Sequence, residues 1–67
     1  MKESIRNRLP GTVKVIVTGT ILSELIIETA AGEISAIITT NSVKDLRLRE
    51  GVSVFALIKA TDVSVAK

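Results

Sequence analysis

From Thr12 to Thr18 the chain alternates, with Val13, Val15 and Val17 set against Lys14, Ile16 and Thr18. A period of two is that of a β-strand, whose successive side chains point to opposite faces. Gly19 interrupts the run and predicts a turn or bulge. A second strand is expected over Ile21–Thr29, with Ser23, Leu25, Ile27 and Thr29 on one face and Glu24, Ile26 and Glu28 on the other. Ala30-Ala31-Gly32-Glu33 reads as a hairpin loop, and Glu33–Thr39 as a third strand. At Asn41 the period changes. Val43 and Leu46 stand three apart, Ser42 can cap, and Asp45 suits the first turn of one short helix. Arg47–Gly51 leads out through a turn into a fourth strand, Val52–Lys59, with Val54, Ala56 and Ile58 opposite Phe55 and Leu57. Val63–Val65 is expected to add a short fifth strand.

Three strands, a helix, then two strands is the element order of the OB barrel. The predicted fold class is therefore all-β, a five-stranded OB-like barrel with one short helix between strands 3 and 4; an SH3-like barrel is second. Aliphatic residues on both faces of the second and fourth strands predict a second apolar face, buried against a sister subunit. Composition points the same way. The 67 residues read as one domain, 1–67, and they contain no Cys and no His. A chain this short buries only about 60% of its unfolded surface, so one core is marginal. Disulfides are excluded and the usual zinc ligands are missing, which leaves a homo-oligomer as the expected source of further stability. No apolar run approaches the roughly 20 residues of a membrane span. No basic start followed by an apolar stretch of about 7–15 residues marks a signal peptide. Both point to the cytoplasm and away from a membrane partner.

Net charge is +2, but its distribution is uneven: Lys2, Arg6, Arg8 and Lys14 face Glu3 alone in the first 14 residues. Without Cys or His as nucleophile or base, and with Glu24 and Glu28 reading as a solvated strand face, an enzyme is not expected. Single-strand nucleic-acid binding needs aromatic platforms. The chain has no Trp, no Tyr and one Phe, and Phe55, among aliphatics, reads as core. More suggestive are two cationic segments, Ser4–Gly11 and Lys59–Val63. Arg6 offers a planar pair of donors to an oxyanion and Lys59 a compact charge. Ser4 adds a hydroxyl and Ala60 a backbone N–H. Thr39 and Ser42 add two more hydroxyls at the start of the expected helix, where backbone donors also favour anions. Each piece has an ordinary explanation by itself: a solvated basic segment, a helix cap, an exposed strand end.

The residues nonetheless fall into a known order. Ser4-Ile5-Arg6-Asn7-Arg8-Leu9-Pro10-Gly11 resembles the molbindin pattern Ser-Ala-Arg-Asn-x-Leu-x-Gly. Ile37-Ile38-Thr39-Thr40-Asn41-Ser42-Val43, followed by Leu46, Leu48 and Gly51, resembles its Ile-Ser/Thr-x-x-Ser-Val segment. Ala56-Leu57-Ile58-Lys59-Ala60-Thr61-Asp62-Val63 resembles its Ala-x-Ile-Lys-Ser/Ala-Thr-Asp/Ser-Val signature. The resemblance implies a non-catalytic domain that binds and stores molybdate or tungstate in the cytoplasm, needs no cofactor, and forms a hexamer, a trimer of dimers, with anion sites between subunits. Carried over by position, it assigns Ser4, Arg6, Lys59 and the Ala60 N–H to one subunit and Thr39 and Ser42 to its neighbour. It also marks departures. Ile5 stands where the family usually has Ala, Ala60 lacks the hydroxyl some members carry, and Pro10 removes a donor at the strand entry. Two other readings remain at this point: a protein-interaction module with a weakened anion pocket, and an OB-type binder of single-stranded nucleic acid, disfavoured by the missing aromatics.

Overall fold

A computed structural model describes residues 5–67, with side chains from residue 7 onward. Its elements are β1 (Ile5–Thr18), β2 (Leu22–Thr29), β3 (Gly32–Thr39), α1 (Thr40–Asp45) and β4 (Ser53–Lys59), followed by one 3-10 turn over Ala60–Asp62. The strands form one antiparallel sheet in the order β3-β2-β1-β4. It curls into a half-barrel with α1 packed on the β2–β3 side. The expected fifth strand is absent: among the described residues, Val63–Lys67 pairs with nothing and has no regular structure. The 3-10 turn over Ala60–Asp62 ends β4, and a segment that pairs with no strand has no ladder to stabilise it.

β1 is twice as long as the alternation suggested, and it serves both β2 and β4. A bulge between Val13 and Val15 makes this possible. The extra residue reverses the inward face and bends the strand. Before it, Leu9, Gly11 and Val13 point inward; after it, Ile16 does. Val15 and Val17 consequently face out, at 37% and 58% exposure, although the sequence groups them with Val13. Gly11 lies where no side chain fits, since a Cβ there would meet the Glu28 carbonyl oxygen at 2.6 Å and the Ile27 Cγ2 at 2.7 Å.

The core is small. Leu25, Ile27, Val43 and Ala56 form its buried cluster, joined by Leu9, Ile16, Ile34, Ala36, Ile38, Leu48 and Val54. Phe55 is not part of it. The alternation of β4 turns Val54, Ala56 and Ile58 inward and leaves Phe55 55% exposed, with the Arg8 guanidinium 4.1 Å from the ring centroid. Buried polar groups cluster at the β1–β2 turn. The Ser23 and Thr40 hydroxyls lie 2.7 Å apart, and the Thr40 hydroxyl donates to the Gly19 carbonyl at 2.7 Å. Thr40 N–H donates to the Ile21 carbonyl at 2.8 Å, so the start of α1 is fixed onto this turn.

The helix differs from its expected form at both ends. It starts at Thr40, its N-cap is Thr39 rather than Ser42, and Asp45 lies at its end rather than in its first turn. At the C-terminus Arg47 takes a left-handed conformation (φ 53°), its N–H donating to the Lys44 carbonyl and that of Leu48 to the Val43 carbonyl. This is the Schellman arrangement, which uses up the last helical carbonyls. Packing of Leu48 against the Val43 cluster accompanies it.

Candidate functional site

The cationic segments meet through strand pairing. Ile5 pairs with Lys59, and Asn7 with Ile58, so Arg6 is the extra residue of a second bulge in β1. A bulge re-aims the side chain it carries. The Arg6 backbone therefore lies beside Lys59 and the start of the 3-10 turn at Ala60, although the two segments are some 50 residues apart in sequence. Ser4 and the Arg6 side chain lie outside the described residues. The Asn7 Nδ2 donates to the Ile58 carbonyl at 3.2 Å and ties β1 to β4 next to the bulge. That role was not assigned from the sequence, where Asn7 is legible only as part of the Ser4–Gly11 motif.

Lys59 is exposed at the end of β4, with extended backbone angles (φ −63°, ψ 141°), and makes no side-chain cap to the turn that follows. Among the described residues the ion pair is Lys14 with Glu33, remote from Lys59 in the strand register. There the hydrogen bond to the Glu33 carboxylate, then its charge, hold the Lys14 ammonium above its ordinary pKa. A raised lysine contributes throughout the neutral range and loses its contribution only as pH climbs through the raised value.

Thr39 and Ser42 form a second group. The Thr39 Oγ1 accepts the Ser42 N–H at 3.1 Å and donates to the Ser42 Oγ at 2.8 Å. The threonine is thereby occupied as donor and acceptor, and the Ser42 hydroxyl keeps its proton for an outside acceptor. A hydroxyl that already accepts a hydrogen bond is polarised into a better donor. Ser42 is half-buried and Thr39 exposed, so the pair faces the surface.

Within one chain the two groups are not brought together. Thr39 lies on β3 and Lys59 on β4, the opposite edges of the sheet. Thr39 pairs with Leu22, at the Thr18 end of β1, whereas Lys59 pairs with Ile5 at the other end. No hydrogen bond among the described residues joins them.

The family model described as the TOBE domain matches residues 3–65. Molybdenum-pterin-binding protein 1 of Clostridium pasteurianum is 41% identical over 66 residues, 97% of each chain. The molybdate-binding protein of Sporomusa ovata is 46% identical and superposes over all of both chains with a TM-score of 0.92. The chain belongs to the molbindin family. A further member, the cytoplasmic molybdate-binding protein ModG, in a form with molybdate bound, is 40% identical with a TM-score of 0.85. The match covers 92% of this chain and 45% of that one. The half-barrel of four strands and a short helix is this molbindin's version of the family fold.

Proposed function

We propose that the chain is a non-catalytic binder of molybdate or tungstate, that it works as a homo-oligomer, and that it stores the anion in the cytoplasm. The full-length likeness to molybdate-binding proteins carries this reading. The site is the one suggested by the motifs: Ser4, Arg6, Lys59 and the Ala60 N–H from one subunit, Thr39 and Ser42 from the next. A tetrahedral dianion meets two formal positive charges there and otherwise neutral donors. No group need be oxidised, reduced or covalently attached.

Two observations support a site between chains. The donor groups lie on opposite edges of the sheet. The outer surface also carries more apolar area than a free 67-residue domain needs, with Ile21, Leu22, Ile37, Phe55 and Leu57 each more than half exposed. Sharing the anion couples it to assembly, because a ligand that binds only the oligomer stabilises the oligomer by mass action.

Titration calorimetry with molybdate, tungstate, sulfate and phosphate tests the proposal. Molybdate and tungstate should give saturable heats, and at about 100 times Kd should stabilise the fold by roughly 2.7 kcal/mol. Absence of both heat and thermal stabilisation with all four anions would leave a protein-interaction module and overturn the storage reading.

A further inference from the structure

One of the two donor groups, Thr39 with Ser42, stands on a very short element. α1 is six residues long, fewer than two turns. A helix of that length does not hold itself together in water, so tertiary contacts must fix where Ser42 and its cap Thr39 sit. Those contacts lie on the inner side of the helix start. Thr40 is 6% exposed and meets Ser23 of β2, which is 2% exposed. Their hydroxyls lie 2.7 Å apart, and that of Thr40 donates to the Gly19 carbonyl at 2.7 Å. A hydroxyl has one proton, so Ser23 donates the bond between the two. The Ser23 oxygen in turn accepts the Gly19 N–H at 3.4 Å. Gly19, Ser23 and Thr40 thus close a ring of hydrogen bonds, and the Thr40 N–H to the Ile21 carbonyl adds a further link to the same turn. The turn is tight: a Cβ on Gly19 would meet the Leu22 carbonyl oxygen at 2.2 Å.

We propose that Ser23 and Thr40 are positioning residues for the anion: they set the place of the Ser42 hydroxyl without touching the ligand themselves. This rests on the site proposed above. Both protons are spent inside the ring, so neither is left for an oxyanion. Packing alone does not call for them either. Val43 of the same helix enters the core as an aliphatic, and valine has nearly the shape of threonine. A buried hydroxyl pair costs more to desolvate than valine with alanine. What it adds, once every bond is made, is direction, because few placements of the helix start satisfy the whole ring. Thr39 precedes Thr40 and Ser42 is the second residue after it, so the placement passes to the donors through the backbone. The bonds from Thr39 to the Ser42 N–H and hydroxyl then join the two donors into one unit.

Molybdate titration calorimetry on full-length variants, with thermal unfolding of each without ligand, tests this. Ser23→Ala/Thr40→Val removes both hydroxyls together, which leaves neither partner buried and unpaired. Gly19 is exposed, so water can take over its carbonyl and N–H. The double variant should unfold close to the unsubstituted protein yet bind molybdate about tenfold more weakly, the lower end of what losing an orienting partner costs at metal sites. Thr40→Ser keeps the ring and should restore tight binding. Combined with Ser42→Ala, the double change should cost little beyond Ser42→Ala alone, because the ring acts through that hydroxyl. Should the double variant fail to fold, Ser23→Ala alone, which keeps the Thr40 bond to Gly19, should still weaken binding severalfold. Unchanged affinity in the ring variants, when Ser42→Ala by itself weakens binding, overturns the positioning role and leaves the site standing. Losses that multiply in the triple variant also overturn it, since the ring then serves something other than Ser42. Unchanged affinity in Ser42→Ala removes the positioning role together with that half of the site.

Discussion

Ile27→Ala should cost about 2–5 kcal/mol of stability, the range for deleting a well-packed aliphatic side chain and leaving a cavity. Ile27 is 4% exposed at the centre of the sheet, between Val13 on β1 and Ile34 on β3. Its Cγ2 fills the space over Gly11, where the close approach leaves no room for another side chain to move in. The cavity therefore stays open and the high end of the range is expected. A chain of this size has a total stability on the order of 3–10 kcal/mol. The variant should lose a large part of its cooperative unfolding transition at room temperature. Chemical denaturation followed by circular dichroism, at matched chain concentration because assembly contributes, measures the change. A loss below about 1 kcal/mol would mean that the sheet centre repacks, contrary to the close packing at Gly11.

The second large effect is on the anion. Lys59→Met and Arg6→Ala should each weaken molybdate binding by about tenfold or more, since each removes a charge-assisted contact worth roughly 1.5–3 kcal/mol. The two residues need not be equivalent. Lys59 is an exposed strand end with no side-chain bond to the turn after it, so its replacement leaves the local backbone intact. Arg6 occupies the bulge opposite Lys59, and its change should act through lost charge and lost bidentate geometry together. Thermal unfolding without ligand should be nearly the same for Lys59→Met and the unsubstituted protein, while the molybdate-induced rise in Tm collapses. Unchanged affinity in both variants would place the site elsewhere on the molecule.

The parts of the molecule that local periodicity governs were readable from the sequence. The inward set of β2, Ser23, Leu25 and Ile27, and that of β4, Val54, Ala56 and Ile58, follow the alternation directly. Three features escaped, two of them because they depend on pairing between distant strands and Phe55 because composition was weighed above the alternation. The bulge between Val13 and Val15 appears only once β1 must pair with β2 on one side and β4 on the other, and it sends Val15 and Val17 outward. Phe55 looks like core because it is the chain's one aromatic among aliphatics, yet period two puts it on the face opposite Ala56. Val63–Val65 has strand composition, but composition does not choose a partner, and among the described residues the segment pairs with none.

The candidate site divides along the same line. That Arg6 and Lys59 are neighbours follows from β1–β4 pairing, a contact no local pattern encodes; the three motifs, in order, carried it through the resemblance instead. Thr39 and Ser42 were legible as hydroxyls near a helix start. Their roles were not, because either residue satisfies the composition of a cap, and the backbone geometry chose Thr39. That choice leaves Ser42 with a free hydroxyl proton.

The central claim is that one anion takes donors from two chains, and mixing variants tests it most directly. Lys59→Met and Ser42→Ala chains are unfolded together in equal amounts, refolded, and the tightly bound molybdate per oligomer is measured by native mass spectrometry. Ser42→Ala keeps the Thr39 cap to the backbone N–H, so the helix survives. Each variant alone should hold little molybdate at a concentration that saturates the unsubstituted protein. In the mixture, about a quarter of the sites pair an intact Lys59 with an intact Ser42 from different subunits, and that fraction should recover tight binding. No recovery in mixed oligomers from variants that each bind poorly alone would contradict a site shared between chains.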